Sequence, residues 1–388
     1  MRSFTVAERR ARLGRRLYLS RPAHSIGEAV GHGVGLHSTD PATPYLSLWA
    51  RLSDFTTTDL DAALYEQRNV VKHLAMRRTL WIVRADDLPS VQRGASDRVA
   101  DTERRKLLAD AQQAGVTDDG ETWLDAARTA VLRHLDKHGS SSAKELREAL
   151  PELAGDYDPA PGKRWGGQTP LAPRILTVLG VQGDIVRGPN DGAWTVSRPR
   201  WASMGAWLAE PVGEVSAEQA RADLVRRWLQ TFGPATLADV KWWFGSTMTW
   251  AKQAVADVGA VEVDLHGTPG YALPDDLDDE AEDEPWCALL PGLDPATMGW
   301  YDRDWYLGPH RGQVFDRNGN AGPTAWCDGR IVGGWTQDAA GRVELRLLED
   351  VGRSAQKRLR QQADALTEWL DGARISPRFP SPLVARAR

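Results

Sequence analysis

Cysteine is scarce in this chain: Cys287 and Cys327 are the two among 388 residues, and each follows a tryptophan in an apolar run. Two cysteines exclude a disulfide framework and a cysteine-rich zinc site. Their apolar surroundings predict reduced, buried thiols on the strands of a cytosolic protein.

Long apolar runs are also missing. No stretch approaches the roughly 20 residues that a membrane-spanning helix needs. Residues 1–10 lack the apolar centre of a signal peptide. We therefore expect a cytoplasmic protein that contacts no membrane.

Excess charge is small, with a formal net charge of −5, but the charges are unevenly distributed. The first 27 residues contain seven arginines and one acid, whereas residues 274–285 contain eight acids and no base. A basic N-terminal face is compatible with a nucleic-acid partner. The acidic segment is predicted to be a solvated linker without chemistry of its own.

The hydrophobic pattern of residues 25–110 predicts helices followed by a β-hairpin. Residues 27–36 predict a short helix of small residues, Pro44 opens a second helix, and Thr-Thr-Thr-Asp at residues 56–59 caps a third. Residues 70–83 alternate around an arginine-containing turn, which is typical of a hairpin. This order is that of a winged helix, with the second helix of the pair as recognition helix and the hairpin as wing.

The same order recurs twice along the chain. In residues 111–212, a helix, a serine-capped helix and a third helix precede a hairpin predicted at residues 185–187 and 193–196. In residues 213–274, three further helices precede another hairpin. Winged helices bind DNA more often than anything else, although many contact proteins instead.

Beyond residue 286 the pattern changes to short strands, with a tight-turn signal at Asp328-Gly329 and a closing helix at residues 355–370. We predict an α+β fold: three tandem winged-helix motifs followed by a small C-terminal antiparallel β-sheet or barrel and a closing helix. The predicted parts are the basic N-terminal helix 1–24, winged helix 1 with the candidate catalytic loop 25–110, winged helix 2 at 111–212, winged helix 3 at 213–274, the acidic linker 275–285, the C-terminal β domain 286–376 and the tail 377–388.

Three polar residues precede the helix that Pro44 opens, and they are the strongest candidates for chemistry. His37 can take or give a proton near neutral pH, Thr39 can hydrogen-bond a water, and Asp40 can orient the imidazole or act as a base. The alternative is that Asp40 only caps the helix and His37 is an ordinary turn residue.

A second candidate is the basic, glycine-rich segment that precedes a helix start. Lys163, Arg164 and Gln168 suit phosphate contact, and Trp165 suits insertion at a base step. An ordinary connecting loop remains the alternative. No metal site is predicted, because the pair His134 and His138 ends a helix and has no third ligand.

Several segments combine with the winged-helix order into a familiar pattern. They are residues 35–52, the hairpin segment Met76-Arg77-Arg78-Thr79-Leu80, Leu293-Asp294-Pro295, Asp302-Arg303, residues 314–319 and residues 328–335. Over roughly residues 5–372, the chain resembles the AlkZ-like winged-helix DNA glycosylases. The resemblance implies hydrolysis of the N-glycosidic bond of alkylated, cationic purine nucleotides in double-stranded DNA, including bulky natural-product adducts and crosslinks. It also implies a monomer without cofactor that serves repair or self-resistance to a toxin.

The resemblance assigns roles to individual residues. The family carries Gln-x-Gln or Gln-x-Asp where this chain has His37-Ser38-Thr39, and those side chains position the attacking water. The role therefore passes to His37 and Thr39, with Asp40 stabilising positive charge on the sugar and Ser38 contacting DNA.

The hairpin is implied to contact the DNA backbone through Arg77 and Arg78. It departs from the family pattern, with Arg78 where glycine is common and Trp81 where histidine is common.

Two alternative functions stay open. One is a winged-helix DNA-binding or regulatory protein that does not cleave the glycosidic bond, and the other is a protein-interaction scaffold without salt-dependent DNA affinity.

Overall fold

The computed structural model describes residues 1–164, 166–208, 210–280 and 284–385. The fold mixes helices and sheets, as predicted. Within the described ranges, no helix is both long and apolar enough to cross a membrane.

The first unit follows the N-terminal helix Val6–Arg16. Its strands form an antiparallel sheet in which the last strand lies between the other two. The predicted hairpin is confirmed, whereas the hydrophobic pattern did not predict the two helices that follow it. The elements are the helices Ile26–Gly31, Thr43–Trp49 and Thr57–Asp61, the π-helical turn Ala62–Glu66, the strands Leu36–His37, Val70–Leu74 and Leu80–Arg84, and the helices Leu88–Val91 and Asp97–Gln113.

The second unit repeats this order and this sheet arrangement. The return strand predicted at residues 193–196 is wrong, because the strand is Pro199–Ser203. Trp194 lies in the connecting turn, where its ring packs 5.1 Å from that of Tyr45 and 5.7 Å from that of Trp369. The other elements are the helices Gly120–His138, Ala143–Ala149 and Ala172–Gln182, the strands Ser140–Ser142 and Ile185–Asn190, and a small hairpin of Asp156–Tyr157 with Thr169–Pro170.

The third unit has the same order again, with a single bridge between Ala235 and Tyr271 in place of the short first strand. Two of its tryptophans, Trp228 and Trp243, are fully buried in the core. The elements are the helices Ala217–Phe232, Leu237–Phe244 and Met248–Asp257 and the strands Val261–Asp264 and Pro269–Ala272.

The C-terminal part is an antiparallel sheet covered by the closing helix Gly352–Leu370, as predicted. Cys287 and Cys327 are free, buried thiols directly opposite each other on neighbouring strands. The strands, in spatial order, are Cys287–Leu290, Thr324–Cys327, Arg330–Gln337 and Val343–Leu347, with short helices at Pro295–Met298, Asp304–Leu307, Arg311–Val314 and Pro382–Ala385.

The acidic segment is more than a solvated connection. Arg12 Nη1 lies 2.7 Å from Asp276 Oδ1, and Arg16 forms ion pairs with both Asp276 and Glu280. These contacts neutralise part of the N-terminal arginine cluster. Arg12 and Arg16 are therefore not available for the DNA contacts that the charge distribution predicted.

A buried ion pair fixes the first unit against the C-terminal part. Arg51, 2 % exposed, holds the fully buried carboxylate of Asp294 with both terminal nitrogens, at 2.8 and 2.7 Å. Ser47 Oγ donates to the same carboxylate at 2.6 Å. The helix that follows the polar residues 37–40 is thereby locked in place.

Candidate active site

His37 ends the first strand of the first sheet and pairs with Trp81. The two rings meet edge to face, with centroids 5.1 Å apart. Gly35 makes this approach possible: it adopts a φ of 146°, and a Cβ there would lie 2.6 Å from the Ile82 carbonyl oxygen. The predicted helix at residues 27–36 ends at Gly31, so a strand and not a helix delivers His37.

Burial keeps the His37 imidazole neutral. The side chain is 8 % exposed, and desolvation together with the nearby charge of Arg77 lowers its pKa to about 3. Within the described part of the chain, its Nδ1 has no hydrogen-bond partner. An imidazole with so low a pKa is a weak base but still a good hydrogen-bonding group, so His37 suits positioning of a water better than its deprotonation.

Thr39 is fixed by the neighbouring strand. Its Oγ1 accepts a hydrogen bond from the Leu80 amide at 3.1 Å, and the Ser38 amide donates to the Leu80 carbonyl at 2.7 Å. Because the Thr39 oxygen already accepts a bond, its hydroxyl proton can be donated to a water. Ser38 is buried, which leaves little of its side chain for contact with DNA.

Asp40 connects three segments of the chain. Its Oδ1 accepts from the Ala42 amide at 3.1 Å, at the start of the helix, and its Oδ2 accepts from the Arg378 amide at 2.8 Å. Burial raises the pKa of this carboxyl, and the two amides and the charge of Arg378 counteract part of that effect. The expected hydrogen bond from the His37 imidazole to the Asp40 carboxylate is absent from the described contacts, so Asp40 does not orient the imidazole.

The hairpin turn beside His37 holds two consecutive residues in the left-handed region, Arg77 at φ 57° and Arg78 at φ 61°. Arg78 is exposed and its Nε lies 2.7 Å from Glu103. The Arg77 guanidinium lies 4.0 Å from the centroid of the Trp242 ring. The turn therefore presents one arginine paired with a carboxylate and another that stacks on the third unit.

A sequence profile of the family described as "DNA glycosylase AlkZ-like" matches residues 30–369. The chain belongs to the AlkZ-like DNA glycosylases. Among solved structures, it is similar to the Streptomyces sahachiroi DNA glycosylase AlkZ, with a TM-score of 0.74 and 20% sequence identity over 97% of this chain and 99% of that one. No curated protein matches the chain in sequence.

Arg78 adopts a left-handed φ of 61°, a backbone conformation that favours glycine. Left-handed backbone costs a residue with a Cβ roughly 1–2 kcal/mol, whereas glycine adopts it freely. Here the ion pair of Arg78 with Glu103 offsets part of that cost.

In this AlkZ-like glycosylase, no sequence pattern predicted that one particular residue, Arg378, lies near the site. Arg378, in the predicted tail, donates from Nη1 to the Thr39 carbonyl at 3.4 Å and from its backbone to Asp40. Only the fold brings this residue to the loop.

The basic loop of the second unit lies elsewhere. Lys163, Arg164 and Gln168 are exposed at the end of the small hairpin, and none of the described contacts connects them to residues 37–40. Trp165 lies outside the described residues. A DNA contact by this loop stays a prediction.

Histidine, cysteine and carboxylate side chains do not gather anywhere in the described ranges into a group of three or more that could hold a metal ion. His134 instead bonds Ser141, with Nε2 3.1 Å from Oγ. The candidate site of this AlkZ-like glycosylase thus consists of the neutral imidazole, the Thr39 hydroxyl and the anchored Asp40.

The buried histidines give the enzyme a pH-dependent stability. Burial lowers the pKa of His37 to about 3 and that of His73 to about 4, both below the value of about 6.5 for an unfolded histidine. The unfolded chain therefore binds protons first, and stability is lost as the pH falls below 6.5. Each histidine should contribute a loss of about 1 kcal/mol between pH 7 and 5.5, measured by urea unfolding, and His73→Gln should reduce that loss.

Proposed function

We propose that this AlkZ-like glycosylase hydrolyses the N-glycosidic bond of purine nucleotides alkylated at N7 in double-stranded DNA. We include bulky natural-product guanine adducts and crosslinks among its substrates, in DNA repair or in self-resistance to a toxin. The observation that supports the proposal is that contacts with the neighbouring strand fix two hydrogen-bonding groups, His37 and Thr39, in the segment to which the resemblance assigns the attacking water.

The reaction needs little catalytic assistance from the protein, because N7-alkylation makes the base cationic and therefore a good leaving group. The C1′–N9 bond breaks, its electron pair stays with the base, and a water oxygen bonds to C1′ and releases a proton to solvent. Neutral His37 and the Thr39 hydroxyl hold that water, and the Asp40 carboxylate faces the positive charge that develops on the sugar.

We also propose that the three repeated units are winged-helix motifs with the bounds predicted above. The support is that all three units have the same order: a helix, a short strand or single bridge, two further helices and a hairpin. In each unit the last strand pairs on both of its sides. The first wing then carries Arg77 and Arg78 towards the DNA backbone.

The substrate is tested with duplexes that carry either N7-methylguanine or a bulkier N7-guanine natural-product adduct. The purified protein, in chelator, should release the free base and leave an intact strand with an abasic site. An unalkylated duplex is the control. The ratio of the two rates reports the adduct size that the site accepts, and cleavage of the strand without alkali would contradict a monofunctional enzyme.

A binding-only protein is the second candidate function. The observation that favours it is the replacement of both family glutamines by His37 and Thr39. Such a protein would bind duplex DNA with a steep salt dependence and would release no base.

A further inference from the structure

The two cysteines of the chain face each other across neighbouring strands of the C-terminal sheet. Cys287 lies directly opposite Cys327, and their sulfur atoms are 2.8 Å apart. Both thiols are free. Because the sequence contains no other cysteine, each thiol has the other as its one thiol partner within the molecule.

The backbone geometry at this position suits a disulfide between the strands. The Asp328 amide donates to the Trp286 carbonyl at 3.1 Å, so the adjacent residues, Cys287 and Cys327, form a non-hydrogen-bonded pair. The Cα atoms of such a pair are about 4.5 Å apart, within the range of about 4.4–6.8 Å that disulfides span. The two sulfurs can therefore bond without a large movement of either strand.

The surroundings favour Cys287 as the sulfur that reacts first. The hydrogen bond with the Cys327 thiol and the nearby guanidinium of Arg358 lower the pKa of Cys287. Arg358 Nε is buried and has no hydrogen-bond partner among the described residues, which leaves this N–H free to stabilise a thiolate. Cys287 is 9 % exposed and is therefore not sealed from a small oxidant.

We propose that Cys287 and Cys327 form a reversible disulfide when the protein meets a hydroperoxide. With hydrogen peroxide, the Cys287 thiolate attacks one oxygen, the O–O bond breaks, water leaves and Cys287 becomes a sulfenic acid. The Cys327 sulfur then attacks Cys287 Sγ, the S–S bond forms, the S–O bond breaks and a second water leaves. The two thiol protons leave with the two waters, and a dithiol restores both thiols while it is itself oxidised.

The bond would stabilise the part of the fold that supports the candidate catalytic segment. It would close a loop over residues 287–327, which contains the buried carboxylate of Asp294. The cysteines also share an apolar cluster with Ala42 and Leu46, at the start of the helix that follows residues 37–40. Closing the loop removes conformational freedom from the unfolded chain, so oxidation should stabilise the folded protein.

The first test counts the thiols of the full chain after treatment with hydrogen peroxide. The remaining thiols are blocked with a maleimide in urea, and the intact mass is measured. The oxidised protein should have lost two hydrogen atoms and bind no maleimide, and non-reducing peptide mapping should join the peptides that contain Cys287 and Cys327. Dithiothreitol should restore both maleimide sites. Two maleimides after peroxide, or a bond that joins two chains, would overturn the proposal.

Cys327→Ser is the matched variant for the order of the steps. It keeps the sulfur that reacts first and removes its partner, so peroxide should leave a sulfenic acid that dimedone traps. In the wild-type protein Cys327 should consume this sulfenic acid, and dimedone labelling should be about tenfold lower. Equal labelling of the two proteins would contradict the attack by Cys327.

The second test asks whether the fold itself favours the bond. The wild-type protein is equilibrated with mixtures of reduced and oxidised glutathione, in buffer and in concentrated urea. Because the strands hold the sulfurs together, the equilibrium constant for disulfide formation should be about tenfold larger in the folded protein. The oxidised protein should accordingly unfold at a higher urea concentration than the reduced protein.

An equilibrium constant in buffer that is no larger than the one in urea would show that the fold does not favour the bond, and the proposal would fail. None of these measurements requires the release of a base. Their outcome is therefore independent of the proposed function, and absence of glycosylase activity would leave the disulfide proposal unaffected.

Discussion

Replacement of His37 by alanine is expected to slow base excision about 100-fold while DNA affinity stays unchanged. His37 lies beside the Trp81 ring, and its neutral imidazole is the group assigned to the attacking water. Loss of that group leaves Thr39 alone to position the water. The measurement is single-turnover release of N7-methylguanine, with the duplex affinity determined in parallel.

His73 provides the matched control for this experiment. It pairs with Trp81 from the opposite strand of the same sheet, is also buried, and has a pKa lowered to about 4 by burial. His73→Ala should therefore lose comparable stability but no excision. His37→Gln, which supplies the residue that the resemblance implies at this position, should keep the rate within about tenfold of wild type. Unchanged excision in His37→Ala would remove this residue from the mechanism.

The second large effect is on stability. Arg51→Met is expected to destabilise the protein by about 3–5 kcal/mol, because it leaves the Asp294 carboxylate buried without its cation. Asp294 is fully buried, and the hydrogen bonds that it accepts from Ser47 and from the Ala296 amide cannot replace two charged hydrogen bonds. Urea unfolding followed by tryptophan fluorescence measures the change.

An exposed ion pair provides the control for the Arg51→Met experiment. Arg93 and Asp97 form a pair at 3.0 Å, one helical turn apart on the surface. Arg93→Met should cost less than about 0.5 kcal/mol. A loss below about 1 kcal/mol for Arg51→Met would mean that this buried pair does not fix the first unit to the C-terminal part.

Local signals in the sequence predicted much of the fold. The alternation of residues 70–83 predicted the first hairpin, and Ser142 and Thr236 begin helices with the capping boxes that their sequences favour. The return strand of the second unit was misplaced because Trp194 leaves the sheet to join an aromatic cluster with Trp369. That cluster joins distant parts of the chain, and no local pattern contains it.

The candidate site, too, was only partly predictable from local sequence signals. Polar residues at 37–40 stand out in the sequence, and the resemblance to a known family gave them roles. Their electrostatics depend on long-range contacts: Asp40 is bonded by Arg378, 338 residues away, and burial by the surrounding protein makes His37 a neutral group. The sequence pattern therefore located the loop but not its protonation state.

Single-turnover release of N7-methylguanine from duplex DNA by the wild-type protein in chelator tests the central claim most directly. We predict release of the free base, with no change in rate from titration of His37 between pH 5 and 8, because this imidazole stays neutral across that range. Absence of release, with salt-dependent duplex binding intact, would contradict the glycosylase and leave a protein that binds DNA without cutting it.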